Sequence, residues 1–330
     1  MPAAAGKALD EKLALADRML THVFDWNQTA PPPDQAGFMD RDYSHISAAD
    51  IRRTMRDRIR ECYRHDGDLL AAAVLAFGQV SGQLSPASAC WVEKTPYNER
   101  FAGQIFAWWP EARCVHVVRD PRDNFVSYQR KHAEWSPESF GLSWARSTLA
   151  GLDHRDTYGS HRYWLMRYED LVRDPEETIR ALCDFLGIAD DESLRQPARG
   201  GRPWQGNSMF TETFDQISRA PVGRWEGRLE SDELVALEAL AASPMRSLGY
   251  ELRGDRVPLD GPARRRVVRR MVSLAVHETS LSPSERAAIE AASHFDRIRA
   301  SRRPLPPTRG RLLAGLLLQY MRLLTPTHAH

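Results

Sequence analysis

The sequence is poor in cysteine, in lysine and in long apolar runs. Its four cysteines, Cys62, Cys90, Cys114 and Cys183, are scattered and form no CxxC pair. This spacing argues against a disulfide framework and against a zinc site. We therefore interpret the cysteines as small buried hydrophobic residues of a protein in a reducing compartment, and we expect a cytoplasmic location.

The apolar runs and the charge argue against several further classes of protein. The opening residues, MPAAAGKALDEKLALADRML, have no basic start followed by an apolar run, so we expect no secretory signal. No stretch reaches the roughly 20 apolar residues that cross a bilayer. The net charge is +1, and a nucleic acid is therefore not expected as an obligatory partner.

Lysine supplies only four of the 45 basic residues: Lys7, Lys12, Lys94 and Lys131. This scarcity makes Lys94, which ends an apolar segment, a stronger functional candidate than one lysine among many would be. The 330 residues, with a hydrophobic fraction of 42%, are enough for one large globular domain with an extension, or for two domains.

One stretch, CVHVVRDPRDNFVSY from Cys114 to Tyr128, predicts a buried strand followed directly by a helix. Asp120 is suited to cap that helix and Pro121 to its first turn. Arg119 then lies where the strand ends, which is the edge where open α/β sheets bind ligands. Together with Ser127 it can hold a phosphate through charge-assisted hydrogen bonds. The alternative is a solvated turn in which the arginines and aspartates pair with one another.

Strands and helices alternate along much of the chain. Ser88–Lys94 predicts a strand with Cys90, Trp91 and Val92 buried, and Tyr163–Tyr168 predicts another. Strand-helix alternation of this kind favours an α/β fold with a mostly parallel sheet that is flanked by helices on both faces.

Helix ends and a change in composition set the expected domain limits. Asp174 to Glu177 predicts a capped helix start, and Gly187 its end. Beyond residue 254 arginines cluster and prolines recur. We therefore predict a domain over residues 1–254 and a helical C-terminal extension over residues 255–330.

Four segments, in this order, resemble the sulfotransferases that use 3′-phosphoadenosine-5′-phosphosulfate (PAPS), and the bacterial branch most of all. The match covers roughly residues 88–252. The segments are Glu93-Lys94-Thr95-Pro96, Arg119 to Ser127, Arg167-Tyr168-Glu169-Asp170-Leu171, and Trp204-Gln205-Gly206-Asn207-Ser208 with Val222-Gly223-Arg224-Trp225. The resemblance implies a P-loop-NTPase-like sulfotransferase fold, and PAPS as co-substrate without a metal.

The resemblance assigns roles to the first three segments. Arg119 and Ser127 would grip the 3′-phosphate of PAPS. Lys94 would stabilise the bridging oxygen or the transferred group, because charge builds on the leaving phosphate; its alternative is a surface lysine. Tyr168 would pack against the adenine or bond a phosphate; its alternative is a core tyrosine.

The fourth segment closes the implied nucleotide site. Arg219 and Gly223 would bring charge and backbone to the 3′-phosphate, with Arg224 beside them. Trp225 would stack near the adenine, or else be a buried structural residue. The general base stays open: Glu93 adjoins Lys94, but neighbours on a strand point to opposite faces, and His45 and His132 are candidates only because histidine titrates near neutrality.

One signature of the family is missing from the sequence. A first strand and a Gly-Ser/Thr loop should wrap the 5′-phosphosulfate, and the segment Pro2 to Lys7 is a poor match for it. We therefore expect that the chain starts after this loop or has diverged from the family. We also expect an exposed strand edge where the family has its central strand, and weak or absent sulfotransferase activity.

Three functions compete at this point. The first is transfer of a sulfuryl group from PAPS to a hydroxyl or amine of a small-molecule, carbohydrate or lipid acceptor. The second is a catalytically weak or inactive homologue that acts as a nucleotide-binding or scaffold protein. The third, a P-loop kinase, is disfavoured because no GxxxxGK[ST] motif occurs. A membrane-surface contact through the C-terminal helix, residues 311–324, is a minority interpretation.

Overall fold

The structure of the chain is a computed structural model. It describes residues 6–28, 46–88, 90–130, 132–133, 135–199, 202–203, 216–254, 260–263, 265–267 and 269–270. The chain divides into two compact units, one of Met1–Ala112 with Gln196–Asp215 and the other of Arg113–Arg195 with Gln216–His330. Each unit has its own hydrophobic core.

The elements follow one another in the order helices, then alternating strands and helices. They are α1 (Leu9–Gln28), α2 (Ala48–Cys62), α3 (Gly67–Val80), α4 (Ala102–Trp108), β1 (Cys114–Val118), α5 (Pro121–Gln129), α6 (Pro137–Tyr158), β2 (Tyr163–Arg167), α7 (Tyr168–Arg173), α8 (Pro175–Leu186), β3 (Ala198–Arg199), β4 (Arg202–Pro203) and α9 (Ser231–Ser247). Short 3-10 helices cover Asn98–Phe101 and Glu192–Arg195. None of the helices in the described ranges is both long enough and apolar enough to cross a membrane.

The first unit is built on three helices that share one apolar core. Ile51, Met55 and Ile59 recur every four residues along α2, which puts them on one helix face, and none is more than 1% exposed. They pack with apolar residues of α1 and α3. Ser47 caps α2, because its side chain accepts the amide of Asp50.

The strand predicted at Ser88–Lys94 is wrong for the residues that the structure describes there. Val92 is 80% exposed, Cys90 is exposed and Trp91 is only half-buried. A strand needs a neighbour for its N–H and C=O groups, and no described segment pairs with this one. Trp91 instead lies edge-on to Trp109, with ring centroids 5.4 Å apart.

The second unit contains a parallel pair of strands, and the α/β fold is confirmed. β1 pairs with β2 from Cys114 opposite Tyr163 to Val118 opposite Arg167. Both strands therefore end at the same level, and a helix begins within three residues of each end. This register brings the residues after the two strands to one edge of the sheet.

Helices cover both faces of this pair. On one face a Cβ at Gly151 of α6 would lie 2.5 Å from Nδ1 of His116, so only glycine lets α6 approach β1 so closely. On the other face Phe185 of α8 packs against Trp164, with ring centroids 5.5 Å apart. The predicted cap at Asp174 and the helix end at Gly187, with φ +65°, are both confirmed.

One edge of β1 carries no neighbour among the described strands, whose order is β1-β2. β1 thus lacks a strand partner on that side within the described residues, and the exposed edge expected there stays a prediction. Of the segment Pro2 to Lys7, residues 2–5 lie outside the described residues, and Gly6 and Lys7 lead into α1 without a strand.

Residues 261–263, 265–267 and 269–270 are helical, and Val267 among them packs on α9. Val267 is fully buried beside Ala236, and Arg266 Nε lies 2.9 Å from Oδ2 of Asp232. These residues thus share a core with the residues before 254. The domain limit predicted near residue 254 stays a prediction for the part of the chain beyond 270, which includes the apolar segment 311–324.

Glu138 in the first turn of α6 gives the unit a pH-dependent stability. It is 1% exposed, and Arg270 Nη1 lies 3.8 Å from its Oε1. Burial raises the pKa of the Glu138 carboxyl, and Arg270 only partly opposes that rise. A raised pKa means that the folded protein binds the Glu138 proton more tightly than the unfolded chain does. The protonated carboxyl therefore contributes fully to stability at pH values below the ordinary pKa of glutamate. This contribution is lost as the pH rises through the pKa of Glu138 in the folded protein.

We expect Glu138→Gln to remove this loss, because the amide needs no proton to be neutral. The free energy of unfolding at pH 8 should rise by on the order of 1 kcal/mol, with little change at pH 4. Urea denaturation at both pH values measures it. The control is Glu192→Gln, at an exposed position. Equal changes at pH 4 and pH 8 would contradict the prediction.

Candidate functional site

The carboxyl ends of β1 and β2 bring Arg119 and Tyr168 together. Because Val118 lies opposite Arg167, the residues that follow them are neighbours at one sheet edge. The guanidinium carbon of Arg119 lies 5.2 Å from the centroid of the Tyr168 ring, a cation–π contact. Burial raises the pKa of the half-buried Tyr168 phenol, and the charge of Arg119 opposes that rise.

The Arg119 guanidinium is held on two sides and is incompletely hydrogen-bonded. Its Nη1 donates to Ser127 Oγ at 3.3 Å, and its Nη2 donates to the carbonyl oxygen of Pro221. Its Nε is buried and has no acceptor among the described residues. A buried N–H without an acceptor is costly, so this guanidinium keeps one unsatisfied donor. Arg119 and Ser127, which the sequence predicts to hold a phosphate together, lie within hydrogen-bonding distance of each other.

The other charged residues of this stretch are buried, so the solvated turn is wrong. Asp120 caps α5 by accepting the amide of Arg122, as predicted, and its carboxylate also accepts the Arg122 side chain at 2.9 Å. Arg122 is 4% exposed and reaches Glu238 at 2.8 Å. These charges hold α5 to α9, and Arg119 at the strand end takes no part in this network.

Asp123 binds the backbone of a distant turn. Its Oδ2 accepts the amide of Gly223 at 2.7 Å and its Oδ1 accepts the amide of Trp225 at 2.9 Å. Burial raises the pKa of the Asp123 carboxyl, and the two amide donors oppose that rise. The sequence assigned the Gly223 N–H to the 3′-phosphate, but in the structure this N–H donates to the Asp123 carboxylate.

Arg219 and Arg224 flank Pro221, whose carbonyl accepts Arg119, and both donate to backbone carbonyls. Arg219 Nε donates to the carbonyl of Val172 at 3.0 Å, and its Nη2 donates to the carbonyl of Arg173, so it fastens its segment to the end of α7. Arg224 Nε donates to the carbonyl of Ala220 at 2.8 Å. Their predicted contact with the nucleotide stays a prediction.

Trp225 is a buried residue of the core. It is 7% exposed, and the Arg122 guanidinium lies 4.2 Å from its ring centroid. It packs with Val126 and Leu234. This environment matches the structural alternative for Trp225 rather than a stack on the adenine.

Several known proteins have sequences similar to that of this chain. Residues 7–192 match the family model described as Sulfotransferase family. The chain belongs to the sulfotransferase family. It is 30% identical over 122 residues to carbohydrate sulfotransferase 2 of Mus musculus, which is 36% of this chain and 23% of that protein. It is 33% identical over 97 residues to an omega-hydroxy-beta-dihydromenaquinone-9 sulfotransferase of Mycobacterium bovis, which is 26% of this chain and 25% of that protein.

The matches thus span about a quarter of the length of these two relatives. Among solved structures, the sulfotransferase domain from the curacin biosynthetic pathway aligns over 73% of this chain and 94% of its own, with 17% identity and a TM-score of 0.43. That alignment describes a resemblance in fold only.

Glu93 and Lys94, which the sequence assigned to catalysis, lie in the first unit. Glu93 accepts hydrogen bonds from the side chains of Thr95 and Asn98, so it serves as the acceptor of a local turn. Lys94 is exposed. Of the other candidates, His132 lies beside Tyr128 with ring centroids 5.3 Å apart, whereas His45 and the segment Trp204 to Ser208 lie outside the described residues.

Glu169 is a site residue that the sequence did not single out. Its Oε1 accepts the amide of Asp120 at 2.8 Å, and its Oε2 accepts the hydroxyl of Tyr250 at 2.8 Å. Burial and the Glu169 charge raise the pKa of the Tyr250 phenol. Glu169 thereby fixes the end of β1 to the start of α7. The sequence signal that identifies Glu169 as a site residue is its position directly after a strand, next to Tyr168.

Truncation of Arg122 should destabilise the protein more than truncation of Arg119. Arg122→Ala leaves the buried carboxylates of Asp120 and Glu238 without their partner, so we expect a loss of about 3–5 kcal/mol in the free energy of unfolding. Arg119→Ala removes only half-buried hydrogen bonds, and we expect a loss of about 1 kcal/mol. Urea denaturation at pH 7 compares them. Equal losses would show that Arg119 is as structural as Arg122.

Proposed function

We propose that this chain binds PAPS and transfers its sulfuryl group to a hydroxyl or amine of a carbohydrate, lipid or other small-molecule acceptor. The observation that carries the proposal is the Arg119–Ser127 pair at the carboxyl edge of two parallel strands, with a buried Nε that lacks an acceptor. Membership in the sulfotransferase family supports the reaction class.

The residues at this edge fit the ribose 3′-phosphate of PAPS. A phosphate oxygen supplies the acceptor that Arg119 Nε lacks, and charge-assisted bonds to a guanidinium are strong. The Ser127 hydroxyl, now 2.9 Å from the carbonyl of Asp123, adds a neutral donor if it turns toward the phosphate. PAPS itself supplies the activated sulfuryl group.

Lys94 is assigned to the transfer step on the resemblance of the segment Glu93 to Pro96. Transfer breaks the bond between the sulfur and the phosphate oxygen and forms one to the acceptor oxygen or nitrogen. Negative charge grows on the leaving phosphate, and a lysine ammonium stabilises it. The acceptor proton must leave to a base, for which Glu93 and His132 are the described candidates.

The acceptor class is proposed from the relatives. One relative is named a carbohydrate sulfotransferase and another a sulfotransferase of an omega-hydroxylated dihydromenaquinone. Both names describe acceptors that carry hydroxyl groups, and we propose a glycan or lipid-like acceptor here.

A cytoplasmic location stays a prediction. The four cysteines are free, as expected of a reducing compartment. Only Cys183 is buried, however, and the predicted burial of Cys62 and Cys90 is wrong.

Loss of Arg119 should weaken binding of adenosine 3′,5′-bisphosphate. We expect Arg119→Ala to raise the Kd about 10- to 150-fold, or roughly 1.5–3 kcal/mol, as for a lost charge-assisted bond. Isothermal titration calorimetry measures it, and Arg228→Ala, which removes an exposed arginine of the same unit, is the control. An unchanged Kd for Arg119→Ala would overturn the phosphate assignment.

Loss of Lys94 should slow transfer without weakening nucleotide binding. We expect Lys94→Ala to lower kcat by about 100- to 1,000-fold, the size of effect seen when one transition-state donor is removed. Release of label from PAPS to a panel of glycan and lipid acceptors measures kcat, with Lys7→Ala at another exposed lysine as the control. Tight bisphosphate binding with no transfer to any acceptor would favour the non-catalytic nucleotide-binding alternative.

A further inference from the structure

The buried carboxylate of Asp123 contacts a segment 100 residues further along the chain. Asp123 is 1% exposed. Its two oxygens accept one amide each, from Gly223 and from Trp225. An amide side chain has only one oxygen and cannot replace this pattern, so the turn requires a carboxylate.

The turn that Asp123 holds also holds Arg119. It begins with the amide of Val222 donating to the carbonyl of Arg219 at 2.9 Å, and it passes through Gly223 at φ +75°. The carbonyl of Pro221, within this turn, accepts Nη2 of Arg119. That bond fixes one end of the guanidinium and so sets the direction of its remaining N–H groups.

Asp123 also contacts the second member of the pair. Its backbone carbonyl accepts the hydroxyl of Ser127 at 2.9 Å, while Ser127 Oγ accepts Nη1 of Arg119 at 3.3 Å. The side chain of Asp123 therefore fixes Arg119 through the turn. The Ser127 hydroxyl lies beside this guanidinium and turns from the Asp123 carbonyl when it donates to a phosphate.

We propose that Asp123 is a positioning residue for recognition of the 3′-phosphate. It does not touch the nucleotide; it holds the turn at residues 219–225 so that the N–H groups of Arg119 point to an anion that lies beside Ser127. This inference rests on the proposed function, and it names the residue that makes the site selective for a 3′-phosphorylated nucleotide.

The test compares adenosine 3′,5′-bisphosphate with adenosine 5′-phosphate, which lacks the 3′-phosphate. We expect Asp123→Asn to raise the Kd for the bisphosphate about tenfold and to leave the Kd for the 5′-phosphate within about twofold, because one amide of the turn loses its acceptor. Calorimetry on the full chain measures both constants. The control is Glu238→Gln, a carboxylate of similar burial that accepts from Arg122 and from the amides of Arg253 and Gly254 but not from this turn.

A pair of glycines tests the same inference without changing the buried charge. Gly223 has φ +75° and Gly227 φ +73°, and a Cβ added at either would meet nothing within 4 Å. Alanine at both positions therefore meets the same backbone penalty, but only Gly223 donates to Asp123. We expect Gly223→Ala to reproduce the selective loss of bisphosphate affinity, and Gly227→Ala to leave it within about twofold.

The outcomes separate this inference from the proposed function. If Asp123→Asn changes neither constant, or weakens both nucleotides equally, the positioning role is overturned while the effect of Arg119→Ala can still stand. If the unaltered chain fails to prefer the bisphosphate, the proposed function is overturned. If Asp123→Asn does not fold, equal behaviour of the two glycine variants overturns the positioning role.

Discussion

The ion network around Arg122 is the constraint on which the second unit depends. A guanidinium that is 4% exposed is costly to bury unless every donor is paired, and here Asp120, Glu238 and the carbonyl of Glu251 accept from it. Burial lowers the pKa of this guanidinium, but its carboxylate partners outweigh that effect and raise the pKa overall. Glu238 also accepts the amide of Gly254 at 2.6 Å. One buried charge thus joins α5, α9 and the segment after α9.

The two arginines at positions 119 and 122 have different roles. Arg122 points into the protein and is fully occupied, whereas Arg119 stays at the strand end with a donor unused. Asp123 adds the connection to the turn at residues 219–225. Most charged residues of this stretch therefore support Arg119 and are not themselves proposed to bind the ligand. This explains why so many charged residues occur in so few positions.

The parallel register supplies the second requirement of the site. Val118 opposite Arg167 puts Arg119 beside Tyr168, and Glu169 joins the two strand ends through the amide of Asp120. Tyr250, which donates to Glu169, packs against Trp144 in the core, with ring centroids 6.4 Å apart. The proposed anion site thus rests on elements that are fixed by burial rather than on a free loop.

The sequence by itself determined the features that depend on near neighbours. The β-branched run of β1 and the aromatic and apolar residues of β2 predict strands. Asp120 and Asp174 cap their helices, and Gly187 ends one, because each of these depends on contacts within about four residues. It misplaced a strand at Ser88–Lys94, where an apolar run finds no described partner. Only the tertiary structure decided that Arg122 is structural and Arg119 is not, that Asp123 holds Gly223, and that Glu169 joins the strand ends. Those partners lie from 49 to 116 residues apart, and no local pattern encodes which of them meet.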